Sequence, residues 1–190
     1  AIQMTRGTAE TPTVTVSRCL IVGVDWITPA GVRPEHQLAL EREFYERSQL
    51  VTLAETAPAP VASFTDGPRE LWGAMDTAQG DSYQVSLARY QKVLEHLRQL
   101  NVAVAGYVDK PAANLVVRLL EVADAPEARL AEVKHELPLS GVTDRYLFSK
   151  ILRPGERSAV FAIQSRSALQ YRPELKIHFF YLNVGSEGRP

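Results

Sequence analysis

A single cysteine, Cys19, excludes an intramolecular disulfide, and a lone thiol suits a reducing compartment. No apolar run has the length needed to cross a bilayer. The longest, around Cys19–Val24 and Val102–Val108, have the length of strands. Ala1–Glu10 lacks a basic segment followed by an apolar one, so no signal peptide is expected, and the expected location is cytoplasmic. Ala1 in place of an initiator methionine leads to the expectation of further residues upstream. A basic surplus is lacking too. The 21 Lys and Arg against 22 Asp and Glu give a net charge of −1, which argues against a long phosphate-gripping footprint. Basic character is only local, at Arg145, Lys150, Arg153, Arg157, Arg166 and Arg172, and a scattered solvated surface accounts for it equally well. There is no glycine-rich phosphate loop, Cys-x-x-Cys, His-Glu-x-x-His or Gly-x-Ser-x-Gly. Without an ATP-binding loop, any motor activity belongs to a partner.

What is present describes a globular α/β domain spanning residues 1–190, with 45% hydrophobic and 23% charged residues. Val14–Val24 is β-branched and apolar and reads as a buried strand ending at Asp25, followed by a loop from Trp26 to Pro34. Pro34 suits the first turn of a helix that continues through Ala54. Val61–Thr65 reads as a strand, and Pro68 as the start of a helix through Trp72 and Met75. Tyr83, Leu87, Tyr90, Leu94 and Leu97, four and three apart, make the clearest amphipathic helix, starting near Gly80 and ending at Asn101. Val102–Val108 reads as a buried strand with a helix through Leu115, Leu119 and Leu120 behind it. Strand alternating with helix predicts parallel pairing with crossovers. Thr143–Leu152 reads as a short helix. Ser158–Ser165 and Leu175–Val184 read as an antiparallel hairpin turning near Tyr171–Pro173.

Asp25 and Asp66 each end an apolar strand, at the sheet edge where open α/β folds bind ligands. Two hard carboxylates there, completed by a third, suit Mg²⁺ or Mn²⁺. Aspartate before Gly-Pro is also a common turn former, so Asp66 has that reading as well. Glu41, Glu43 and Glu46 lie on the intervening helix, with Glu43 and Glu46 three apart on one side; Arg42 and Arg47 make a solvated stripe an equally natural reading. Asp109 ends a third strand and, with Lys110, would serve an unrelated small-molecule enzyme. Asp144 reads as the cap of the Thr143–Leu152 helix and His178 as a core or interface histidine. His36, His96 and His135 show no ligand spacing.

Five blocks, in order, carry a family resemblance. Ala62-Ser63-Phe64-Thr65-Asp66-Gly67-Pro68-Arg69-Glu70-Leu71-Trp72 resembles the strand-Asp-Gly-Pro/Ser-Leu motif of the NurA nucleases. Tyr90 through Leu120, containing Ala105-Gly106-Tyr107-Val108-Asp109-Lys110-Pro111, is similar to that family's helix and Gly-Tyr-Val/Ile strand. Gly141-Val142-Thr143-Asp144-Arg145-Tyr146-Leu147-Phe148, Gly155-Glu156-Arg157-Ser158-Ala159-Val160-Phe161 and Ile177-His178-Phe179-Phe180-Tyr181-Leu182-Asn183-Val184-Gly185 follow. The resemblance covers roughly Asp25 to Gly185, and its specificity lies in the order of the blocks. It implies an RNase H-like mixed sheet flanked by helices and a Mn²⁺-dependent deoxyribonuclease, with Mg²⁺ as the alternative ion. The implied activities are 5′-to-3′ exonuclease and single-strand endonuclease. It also implies a homodimer docked on the hexameric HerA translocase, processing DNA double-strand ends for recombination and repair in a prokaryotic cytoplasm. On this sequence the metal-binding and catalytic residues would be Asp25, Glu46 and Asp66, with Glu43 the alternative to Glu46. Arg145, Lys150, Arg157 and Tyr181 would meet DNA, Tyr181 also suiting the core.

The sequence departs from the family at Asp25-Trp26-Ile27, where Asp-Gly-Ser is usual, and the loop after Asp25 reads as too short for the family's strand hairpin. The family's C-terminal region also has no counterpart after Pro190. Two expectations follow: a longer chain of which these residues are the ordered parts joined across gaps, favoured because a catalytic loop is where disorder is common, or a degenerate scaffold that dimerises and binds HerA without cutting.

Overall fold

Between residues 31 and 124 strands alternate with helices, as the apolar periodicity predicts for that stretch. A computed structural model describes residues 2–4, 13–15, 27–28, 31–32, 35–71, 80–133 and 138–185. In chain order these form β1 (Ile2–Met4), β2 (Thr13–Thr15), β3 (Ile27–Thr28), β4 (Gly31–Val32), α1 (Glu35–Thr56), β5 (Ala62–Asp66) and α2 (Gly80–Gln99). Then come β6 (Ala103–Tyr107), α3 (Leu115–Asp124), α4 (Leu130–Val133), α5 (Asp144–Ile151), β7 (Phe161–Ala162) and β8 (His178–Phe179). The fold is mixed α/β. Its described strands pair two by two, β5 with β6 parallel and the other three pairs antiparallel. The chain divides into two compact units, Ala1–Tyr107 with Gln164–Ile177, and Val108–Ile163 with His178–Pro190.

In the first unit α2 supplies the core. Tyr83, Leu87, Tyr90, Leu94 and Leu97 are each at most 3% exposed, so the stripe legible in the sequence is the buried face. Burying each such side chain contributes about 2 kcal/mol. Asn101 ends the helix with φ 56°, the left-handed conformation that asparagine tolerates, and turns the chain into β6. α1 packs on α2, where Arg89 donates to Glu41 at 2.6 Å and covers the Phe44 ring at 3.9 Å. β5 and β6 run in register, Ala62 beside Ala103 and Asp66 beside Tyr107.

Several expectations change here. The strand around Val102–Val108 is not buried throughout: Val102 is, but Ala103 and Tyr107 are exposed, as are Ala62, Phe64 and Asp66 on β5. Side chains alternate across a pleated pair, and among the described residues only the Ser63 side is covered. Trp26–Pro34 is not simply a loop. Ile27–Thr28 pairs antiparallel with Gly31–Val32, so the stretch that reads as too short for a strand hairpin does hold a short strand pair. No helix starts at Pro68, since the backbone of residues 68–71 is engaged by side chains instead. Trp72 to Met75, Val16 to Val24 and Asp25 lie outside the described residues.

In the second unit, α3 buries Val116 and Val117 and is capped from outside its own segment. Asp144, fully buried, accepts the Val116 N–H at 3.0 Å and the Val117 N–H at 2.8 Å. The α5 cap is Thr143, whose hydroxyl accepts the Tyr146 N–H at 3.2 Å. The reading of Asp144 as the α5 cap is thereby corrected: threonine satisfies that helix end and leaves the carboxylate for α3. Phe148, Phe161, Phe179 and Tyr181 form an aromatic cluster, with Tyr181 stacked on Phe148 at 4.7 Å and Phe161 on Phe179 at 5.4 Å.

The expected antiparallel pairing of β7 with β8 is present and continues through an Arg157–Leu182 bridge. Regular strand is confined to two residues on each side, and the connection contains 3-10 turns at Ala168–Gln170 and Pro173–Leu175 in place of a single turn. His178 is exposed rather than in a core, and Phe179, the other residue of β8, is the half-buried one.

Candidate active site

Asp66 is the last residue of β5, exposed at the carboxyl end of a parallel strand pair. Gly67 follows with φ 89°, a conformation other residues rarely adopt, and donates its N–H to Tyr107 O at 2.7 Å. Four backbone groups of residues 68–71 are taken by side chains. Arg47 Nη2 donates to Pro68 O at 3.2 Å, the Tyr90 hydroxyl to Arg69 O at 2.8 Å and the Tyr83 hydroxyl to Leu71 O at 3.2 Å. The Leu71 N–H donates to the Tyr171 hydroxyl at 2.8 Å, and the Glu70 carboxylate accepts from Ser165 and Ser167. The turn carrying Asp66 is thus fixed by groups that are themselves packed in the core, the support that a precise site requires.

Gly106 belongs to the same construction. An alanine Cβ there would stand 2.4 Å from Gly67 O and 2.9 Å from Arg69 N, both backbone atoms that cannot swing aside. Gly106→Ala is expected to destabilise the chain by about 2 kcal/mol, the scale of overpacking, and to displace the Asp66 turn. Thermal unfolding together with the amide exchange of Gly67 checks both.

Burial raises the Tyr83, Tyr90, Tyr171 and Tyr181 hydroxyls above the ordinary value of 10.0. At Tyr90 burial outweighs the lowering by Arg47 and Arg69, and at Tyr181 the hydrogen bond to Asp144 adds to it. The unfolded chain releases these protons near its normal pKa of about 10 while the folded chain retains them. The stability they contribute is therefore intact below about pH 10 and lost as pH rises through the folded values. Phenolate absorbance followed alongside circular dichroism should show these tyrosines ionising only as helix is lost.

The sequence candidates separate. Asp25 lies outside the described residues. Glu46 is exposed, 3.7 Å from Arg42 on the same helix. Glu43 pairs at 3.2 Å with Arg47, the residue that holds Pro68 O, so Glu43 and not Glu46 is tied to the Asp66 turn. Among the described residues no three Asp, Glu, His or Cys side chains converge as a metal site. Asp66 and Glu43 are nonetheless hard oxygen donors, which fit Mn²⁺ or Mg²⁺ in chemistry.

Arg145 and Lys150 are exposed on α5, Lys150 standing 5.4 Å from the Tyr146 ring centre. Arg157 is exposed and donates to Ser158 O at 2.9 Å. The Tyr181 hydroxyl donates to Asp144 at 2.9 Å. Asp109 and Lys110 are exposed just past β6, and His96 pairs with Glu55 at 3.4 Å. The sequence reading missed Arg47, Tyr83, Tyr90 and Tyr171 as supports of the turn. The helical stripe marked two of these tyrosines as core, but nothing local shows where a hydroxyl donates.

An α/β protein with a carboxylate fixed at the carboxyl edge of parallel strands falls in the class that places ligand chemistry at that edge. The family model for the NurA domain matches residues 32–190, and the chain belongs to the NurA family, a family of nucleases. That match takes in Glu43, Glu46 and Asp66 and begins beyond Asp25. Comparison with curated proteins and with solved structures gave no match. No helix among the described residues is long and apolar enough to cross a membrane.

Proposed function

We propose that this chain is the metal-dependent DNA nuclease subunit of a double-strand-end-processing assembly, built on an RNase H-like core. One observation carries the reading: in a chain of a nuclease family, Asp66 is an exposed carboxylate on a turn whose backbone is held by core side chains. Asp66 and Glu43 would hold Mn²⁺, or Mg²⁺ in its place, with Asp25 as the further ligand. The bound ion supplies Lewis acidity toward the phosphodiester and lowers the pKa of water. The chain itself contributes placement. The clamped turn fixes Asp66, and Arg47 restrains Glu43. Exposed Arg145, Lys150 and Arg157 hold DNA phosphates, which fixes register without reading sequence. Tyr181 belongs to packing, its hydroxyl and ring both engaged. In this reading the protein works as a homodimer on a HerA hexamer, which supplies the ATP-driven motion for which this sequence has no phosphate loop.

End-labelled single- and double-stranded DNA, incubated with the protein with Mn²⁺ and with a chelator, tests the activity. Cleavage that depends on Mn²⁺ and shortens DNA from the 5′ end is expected. Absence of cleavage with HerA binding intact would instead support the scaffold reading.

A further inference from the structure

Arg47 is the one described arginine of α1 that is buried, at 6% exposure, while its neighbour Arg42 stays in solvent. Its guanidinium reaches three ways. Nη1 donates to the Glu43 carboxylate and to Glu43 O, each at 3.2 Å, and Nη2 donates to Pro68 O at 3.2 Å. The guanidinium carbon stands 5.0 Å from the centre of the Tyr90 ring, whose hydroxyl holds Arg69 O at 2.8 Å. The Nε is buried and has no hydrogen-bond partner among the described residues.

A buried ion pair is weak evidence of a stability role, since apolar groups replacing both partners often serve as well or better. What an apolar residue cannot do is join a carboxylate on a helix to a carbonyl just past a strand end. Arginine's rigid fork does this, and Tyr90 pins the adjacent carbonyl from beneath. We propose that Arg47 and Tyr90 are positioning residues that lock the Asp66 turn to the Glu43 carboxylate. This rests on the nuclease reading for its purpose, but the lock itself is a matter of backbone restraint.

The experiment uses the full chain with Arg47→Met, Arg47→Lys and Tyr90→Phe. Arg47→Met preserves volume and Tyr90→Phe preserves the ring, so both are expected to fold, with melting temperatures lowered by the acceptors left unpaired, and exchange is read relative to that of the α2 core amides. Two readouts follow: hydrogen exchange at the Gly67 and Leu71 amides, and Mn²⁺ affinity from the electron paramagnetic resonance signal of free Mn²⁺. Exchange at both amides should quicken about tenfold in Arg47→Met, and less in Tyr90→Phe. Mn²⁺ affinity should fall about tenfold in Arg47→Met and be partly restored in Arg47→Lys, which a purely structural role would not produce. Wild-type exchange rates in both Arg47→Met and Tyr90→Phe would overturn the proposal, whatever the metal does. If wild type binds no Mn²⁺, the nuclease reading fails on its own, and quickened exchange still supports the lock.

Discussion

Asp66→Ala is expected to reduce Mn²⁺-dependent DNA cleavage by about a thousandfold or more, the scale on which losing one essential catalytic group lowers kcat. Its stability should change by no more than about 0.5 kcal/mol, because the side chain is exposed and makes no packing contribution. The two halves of this expectation belong together. A turn-forming aspartate would do the reverse, weakening the fold while leaving activity in proportion to folded protein. Asp66→Asn sharpens the distinction, since asparagine preserves turn chemistry but is a poorer donor to a hard cation. Cleavage should therefore fall in Asp66→Asn almost as far as in Asp66→Ala, as read by single-turnover assays beside thermal melts.

Asp144→Ala should have the opposite signature. Its carboxylate is fully buried, takes two amides at the start of α3 and receives the Tyr181 hydroxyl. The helix N-terminus supplies the positive end of a dipole where no cationic side chain is paired with it among the described residues. Removing it strands buried donors and is expected to cost about 3 kcal/mol, lowering Tm by about 10 °C in a chain of this size. Asp144→Asn should cost less, since an amide oxygen still accepts. Activity per folded molecule should be retained in both variants. This gives the Gly141-Val142-Thr143-Asp144-Arg145 and Phe179-Phe180-Tyr181 segments a shared structural role, one capping a helix and the other holding the cap.

The succession from α1 through β5, α2 and β6 to α3 was legible because it depends on local periodicity. The α2 stripe, the β5 and β6 strands and the strand-end position of Asp66 all follow from neighbours a few residues away. What could not be read depends on contacts across the chain. The sequence favours Glu46 with Glu43 as its alternative, three residues apart, yet the two stand about 60° apart around the helix. That offset is enough to pair one with Arg47, which also holds Pro68 O, and to leave the other in solvent. Arg47 reads as part of a solvated stripe, and α1 lacks the regular apolar stripe that would reveal which of its faces meets α2. Asp144 stands at a helix start and looks like that helix's own cap; only the fold shows that it serves α3, 28 residues away from Val116 in sequence. The glycine at 106 was visible as part of a motif, but its reason is the nearby backbone of Gly67 and Arg69.

Crystals of the full-length protein grown with Mn²⁺, measured at the manganese absorption edge, give the most direct test. The account predicts an anomalous peak within bonding distance of the Asp66 carboxylate, with Glu43 the helix acid on the same ion. A peak bound by other side chains, or a metal-active enzyme with Asp66 left bare, would contradict it.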